Sequence, residues 1–148
     1  VDKDIYEQAE EYALQLFDVG KKWAKQNGLI LVDTKYEFGL YNGELILIDE
    51  VHTPDSSRYW IANQYEHNFS NNKPQVMLDK ENIRQWLINQ GFSGSGVPPE
   101  LTNEARVMLS EKYIELYKIL IGEDFVIKPG SVKDRIFKNL SINTVNIK

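Results

Sequence analysis

An Asn42-Gly43 pair sits between two β-patterned stretches, and no other local signal in the chain constrains its fold as strongly. Both residue types accept the positive φ that a tight two-residue turn demands, so the dipeptide predicts a hairpin. Residues 29–40 open with the apolar run Leu29-Ile30-Leu31-Val32 and continue in strict alternation, and residues 45–51 are apolar and rich in Ile and Val. A helical segment precedes them. Over residues 5–25, Ile5, Ala9, Tyr12, Ala13, Leu16, Phe17, Trp23 and Ala24 share one face, and Asn27-Gly28 supplies the stop. Two strands alone make a poor sheet. The hairpin is therefore expected to belong to a larger sheet whose other strands lie outside this chain.

Residues 52–78 show no period and carry Pro54, Pro74 and several Ser and Asn, which reads as a long loop. Residues 79–90 read as a helix, with Asp79 as N-cap and Ile83, Trp86 and Leu87 on one face. A Gly-, Ser- and Pro-rich connector fills 91–99. The second strong helix covers 102–121, capped by Thr102, striped by Ala105, Met108, Leu109, Tyr113, Leu116, Tyr117 and Leu120, and stopped by Gly122. Ser131 and Asp134 form a capping box for a short helix to about Leu140, with a frayed tail beyond. The expected fold class is α+β, an antiparallel β-hairpin or sheet packed with several α-helices. One lobe spans 1–148: helix over 1–28, hairpin over 29–51, loop over 52–78 and a helical part over 79–148.

Composition removes several function classes. The 148 residues are 42% apolar and 11% aromatic, too rich in core formers for a disordered chain. With 17 Lys+Arg against 22 Asp+Glu the net charge is -5, which argues against a general nucleic-acid binder. No Cys is present, so disulfide scaffolds, thiolate zinc sites and Cys nucleophiles are excluded, and a cytoplasmic location is expected. The apolar runs at 29–32 and 45–48 fall far short of the roughly 20 residues a membrane helix needs.

The chemistry concentrates in Asp33-Thr34-Lys35-Tyr36-Glu37-Phe38-Gly39. In a strand, Asp33, Lys35 and Glu37 line one face, two carboxylates flanking one ammonium. A solvated strand face with alternating charge has the same pattern. The second strand ends in Asp49-Glu50, and hairpin register decides which of the two joins that face. A two-residue loop pairs Lys35 with Glu50. A three-residue loop pairs Lys35 with Asp49 and makes Glu37 and Asp49 neighbours, whose mutual repulsion a cation would relieve. Magnesium, held by one or two carboxylates plus substrate phosphates, is the natural choice. Thr53-Pro54-Asp55-Ser56-Ser57-Arg58 reads either as an ordinary capped turn or as an anion pocket in which Arg58 forks onto phosphate or carboxylate, assisted by Ser56 or Ser57. Asp79, Lys80 and Arg84 at a helix start are secondary candidates for holding phosphate, or a solvated first turn. His52 and His67 have no partners at zinc-ligand spacing.

Three blocks, Gly28-Leu-Ile-Leu-Val-Asp-Thr-Lys-Tyr-Glu-Phe-Gly39, Leu47-Ile-Asp49-Glu50 and Thr53-Pro-Asp-Ser-Ser-Arg-Tyr-Trp60, give the chain a close resemblance to the phosphoribosylaminoimidazole-succinocarboxamide synthase family. The resemblance continues through Asp79-Lys80, Arg84-Gln-Trp-Leu87, Val97-Pro-Pro99 and Ser110-Glu-Lys-Tyr-Ile-Glu-Leu-Tyr117, and looks like the longer form of the enzyme. Family members carry an N-terminal lobe with a nucleotide loop, and nothing like that loop is present here, so the chain resembles the C-terminal portion only. What the resemblance implies is an ATP-dependent ligase of purine synthesis. It joins L-aspartate to the carboxylate of carboxyaminoimidazole ribonucleotide, with ATP and Mg as cofactors and the missing N-terminal lobe and a homo-oligomer as further partners. It makes Glu37 and Asp49 the metal carboxylates and favours the register that brings them together. Lys35, Asp55, Ser57 and Arg58 become substrate contacts, Lys35 and Asp33 active-site residues, and 52–78 the substrate loop. Two other readings fit some of the residues. An inositol polyphosphate kinase has a similar Asp-x-Lys strand but follows Lys with x-Gly, where Glu37 stands here. A non-catalytic phospholigand-binding fragment is the remaining one.

Overall fold

The computed structural model describes residues 1–144 as five helices and four strands arranged in two antiparallel two-stranded sheets. Helix α1 (Lys3–Gln26) starts where the Asp2 carboxylate accepts the Asp4 N–H at 2.9 Å, and ends as the chain turns through Gly28 at φ +73°. Strand β1 (Leu29–Thr34) follows at once, then the β2 (Phe38–Tyr41) and β3 (Glu44–Leu47) hairpin. Its two-residue turn places Tyr41 opposite Glu44, with Asn42 at φ +53° and Gly43 at φ +84°, the positive angles that the Asn-Gly pair predicts.

Three features differ from the sequence reading. The expected hairpin over 29–51 is not one ladder. Strand β1 pairs instead with β4 (Ser57–Ile61), Leu31 facing Tyr59 and Asp33 facing Arg58 across an irregularity at Val32. The reason is burial: Leu29 and Leu31 are almost fully covered and need the apolar Tyr59 and Ile61 opposite them, which the short β3 strand does not offer. The extra residue at Val32 breaks the alternation, and residues 35–37 belong to no strand, so Asp33, Lys35 and Glu37 do not line one continuous strand face. The expected loop over 52–78 in turn contains β4 and helix α2 (Ala62–Ser70). Its polar, Asn-rich face hid a stack of Trp60, Tyr65 and Phe69 rings at 5.7 and 5.8 Å.

Helix α3 (Glu81–Asn89) is shorter than expected, and α4 (Asn103–Ile121) has the expected bounds: Thr102 Oγ1 accepts the Ala105 N–H at 3.2 Å and Gly122 closes it at φ +76°. Helix α5 (Val132–Thr144) runs past Leu140, with Ser131 Oγ accepting the Asp134 N–H at 3.3 Å; the tail expected to fray lies partly outside the described residues. The core is a cluster of Ala24, Leu29, Leu31, Tyr59, Leu78 and Leu116, where α1, the β1–β4 sheet and α4 meet. Trp23 and Tyr12, placed on the inward face of α1 by periodicity, are exposed; Trp23 nonetheless donates its Nε1–H to Leu120 O of α4 at 3.0 Å. Among the described residues no helix is long and apolar enough to cross a membrane.

Candidate functional site

The Thr53-Pro54-Asp55-Ser56 turn folds on its own side chains. Thr53 Oγ1 accepts the N–H groups of Asp55 (3.3 Å) and Ser56 (3.2 Å), and Thr53 O accepts the Ser57 N–H at 3.0 Å. This turn delivers Arg58 into β4 directly opposite Asp33 of β1. Arg58 Nε donates to Asp33 Oδ1 at 2.8 Å and Nη2 donates to Oδ2, a bidentate fork. That fork holds the Asp33 carboxyl below its ordinary value and raises Arg58 further above neutrality. A carboxyl proton titration by NMR is expected to place the Asp33 midpoint below 3.8, moving back up in Arg58→Ala. The sign follows from the lowered value: the pair stabilises the fold above the unfolded pKa and is lost only as pH falls through the lower folded one. A midpoint unchanged by the substitution would refute the fork.

Arg58 and Lys35 line one cavity of about 330 Å³. Lys80, just before α3, and Arg84, one helical turn on, line it as well. Four cations thus converge, each tempered by a carboxylate: Lys80 lies 3.3 Å from Asp55 and Arg84 lies 3.6 Å from Glu81. Asp33, Lys35, Asp55, Ser57, Arg58, Asp79, Lys80 and Arg84, all picked from sequence, line this cavity. Glu50, the partner of Lys35 that a two-residue turn implies, and Ser56, the alternative hydroxyl to Ser57, line it too; Glu81 joins them, and nothing in its residue type separates it from solvated neighbours.

Two of the expected contacts have internal jobs. Ser57 is 3% exposed, and its Oγ meets Thr34 Oγ1 at 2.8 Å. Asp79 is 0% exposed, and its carboxylate accepts the Tyr59 N–H at 2.9 Å and the Glu81 N–H at 2.8 Å, tying β4 to the first turn of α3. The N-cap position expected for Asp79 falls on Lys80, which makes no side-chain cap bond; Asp79 serves the first turn from one residue further out. Burial pushes its carboxyl above the ordinary value, against the pull of those two N–H groups.

Glu37 and Asp49 lie beside this cavity and meet at Lys35, whose Nζ donates to Glu37 Oε1 at 2.5 Å and stands 3.5 Å from Asp49 Oδ2. The hydrogen bond to Glu37, followed by the charge of Glu37, raises the Lys35 pKa. The hairpin has the two-residue turn, which by strict alternation would set Lys35 against Glu50 and not Asp49. The resemblance favoured the other register, and that expectation is corrected. Pairing ends at Phe38 and Leu47, with one further bond from Ile48 N–H to Glu37 O at 2.9 Å; past it the chain leaves the ladder, and Asp49 reaches Lys35 without register. Two hard carboxylates around one cation suit a dication such as magnesium. Among the described residues no three His, Cys, Asp or Glu side chains converge on a metal position, so phosphate oxygens and water would complete any coordination. His52 takes no such part: its Nε2 meets Tyr36 OH at 2.5 Å, and burial lowers the His52 pKa and raises that of Tyr36.

A larger cavity, about 660 Å³, lies along α4 and is lined by Tyr113, Tyr117, Leu120 and Phe125; it has almost no polar chemistry, and the charged cavity is the candidate site. The family model for SAICAR synthetase matches residues 1–100. The phosphoribosylaminoimidazole-succinocarboxamide synthase of Azobacteroides pseudotrichonymphae is 46% identical over 149 residues, covering 99% of this chain and 46% of the relative. A SAICAR-synthase structure from Saccharomyces cerevisiae, complexed with SAICAR, superposes with a TM-score of 0.68 at 34% identity, covering 84% of this chain and 41% of that one. A SAICAR synthetase (Type-2) structure in complex with ADP superposes at 0.60, with 29% identity and coverage of 86% and 42%. The chain spans about half the length of the curated relatives it matches. With the family model matched over residues 1–100, a relative 46% identical across 99% of the chain and a SAICAR-synthase structure superposing on its fold, this chain belongs to the SAICAR synthetase family.

Proposed function

We propose that the chain carries the metal and imidazole-nucleotide part of an ATP-dependent ligase that joins L-aspartate to carboxyaminoimidazole ribonucleotide. The observation that supports this most is a single one: Arg58, Lys35, Lys80 and Arg84 converge on one cavity that adjoins the Glu37/Asp49 carboxylate pair. Cations for an anionic substrate and carboxylates for a metal-bound nucleotide thus stand side by side, the arrangement in which a phosphoryl group passes from one to the other. The ADP and SAICAR named for two structural relatives are consistent with that division.

In this reading the substrate carboxylate attacks the γ-phosphoryl group of ATP, forming an acyl phosphate and releasing ADP. The amine of L-aspartate then attacks the acyl carbon, phosphate leaves, the amine gives up a proton and an amide remains. The Asp33-held guanidinium of Arg58 orients the anionic imidazole nucleotide, and Lys80 and Arg84 attract its phosphate from α3. Lys35 sits at the junction and neutralises charge on either side. Glu37 and Asp49 hold magnesium, which draws electron density from the phosphates when bound.

The test is ADP release by the whole protein that carries this chain. Release is expected to require both L-aspartate and the carboxylated imidazole nucleotide, and to fall at least about tenfold in Asp49→Asn. Release that proceeds without aspartate would sink the ligase assignment.

A further inference from the structure

Tyr36 stands between Lys35 and Glu37 in a stretch that no strand holds. Backbone hydrogen bonds flank it, from Lys35 N–H to Ser56 O at 3.1 Å and from Ile48 N–H to Glu37 O at 2.9 Å. The side chains of Lys35 and Glu37 meet each other, while that of Tyr36 reaches His52 Nε2 at 2.5 Å, the two rings edge-on with centroids 5.6 Å apart.

His52 is itself clamped. Its backbone carbonyl accepts the hydroxyl of the buried Tyr59 at 2.8 Å. Its φ is +56°, a left-handed conformation that persists in a side-chain-bearing residue only where the surroundings impose it. Its imidazole lies so close to Gly20 of α1 that a Cβ added there would stand 2.4 Å from Cε1. A glycine in mid-helix, an unfavourable backbone angle and a hydrogen bond thus all serve one imidazole, which no part of the proposed chemistry uses.

We propose that the Tyr36–His52 hydrogen bond is a positioning device for the carboxylate arm. It fixes the rotation of residues 35–37 against α1 and thereby sets where Glu37 and Lys35 point. The inference rests on the reading of Glu37 and Asp49 as the metal–nucleotide carboxylates.

The probe is Mn²⁺·ADP, titrated by calorimetry into the whole protein that carries this chain, alongside the KM values for ATP and L-aspartate. Tyr36→Phe keeps the ring and deletes only the hydroxyl. It is expected to weaken Mn²⁺·ADP about three- to tenfold and to raise the KM for ATP, leaving that for aspartate unchanged. The pair acts as a unit, so Tyr36→Phe with His52→Leu should be no weaker than the weaker single variant. His52→Gln, whose amide oxygen can accept the same hydroxyl, should recover part of the affinity. Glu37→Gln separates the two possible failures. If Glu37→Gln loses Mn²⁺·ADP binding and Tyr36→Phe keeps it, with or without a fall in melting temperature, the positioning role is overturned and the site reading stands. If Glu37→Gln binds like the parent, the metal–nucleotide reading has failed and this inference fails with it.

Discussion

Arg58→Ala is expected to weaken binding of the carboxylated imidazole nucleotide by roughly a hundredfold or more while leaving the fold nearly as stable as before. The two halves of that expectation have different origins. Arg58 and Asp33 are half exposed, at 49% and 50%, and ion pairs in that setting contribute about 0–1 kcal/mol to folding. The same guanidinium is oriented for an anion, because Asp33 occupies Nε and Nη2 and leaves Nη1 outside the fork. Arg58→Lys should rescue little, since an ammonium cannot donate a two-pronged fork to Asp33 and present a planar donor edge at once. Asp33→Asn should fall between the two, retaining the cation and losing its orientation. Calorimetric titration of the nucleotide, run beside a thermal melt, reads both halves. Unchanged affinity in Arg58→Ala would remove Arg58 from the site.

Asp79→Ala has the opposite profile: a large loss of stability, which calorimetry or a denaturant melt will read. The carboxylate is fully buried and accepts two backbone N–H groups, one in the middle of β4 and one in the first turn of α3. Alanine leaves both donors without their partner, and a loss of about 2–4 kcal/mol follows. For a chain of this size that lowers the melting temperature by about 5–15 °C. Asp79→Asn retains one oxygen and should lose less. Burial raises the Asp79 pKa, so the carboxyl favours the folded state most when protonated, and its contribution declines as pH rises from 3.8 through the higher folded value. The gap between the parent and Asp79→Asn should therefore narrow from acid toward neutral pH. A gap that widens would show that the two N–H groups outweigh burial.

Much of the fold was readable because it is local. The periods of α1 and α4, the caps at Thr102 and Gly122 and the Asn42-Gly43 turn each follow from neighbours in sequence. What could not be read is long-range. Nothing within residues 29–41 says that β1 prefers Tyr59 and Arg58 over the strand just beyond the turn, since that choice is made by the burial of Leu29 and Leu31 against the core. The site divides in the same way. Lys35, Asp55 and Arg58 stood out by motif, and the cavity gathers them. The buried duties of Asp79 and Ser57 come from packing that residue type alone does not announce. The nearness of Asp49 to Lys35 was expected for the wrong reason, a register the hairpin does not have.

Lys35 belongs to the cavity and to the carboxylate pair at once. On the proposed assignment, one flexible side chain is the counter-ion of two neighbouring sites and can fully serve only one of them. An anion that draws the ammonium into the cavity leaves Glu37 and Asp49 with uncompensated charge, and so more attractive to a dication. A dication seated between those carboxylates frees the ammonium for the anion. Thermodynamic reciprocity makes the two effects equal in free energy, so affinity on each side is set partly by occupancy of the other, with no movement of the backbone needed.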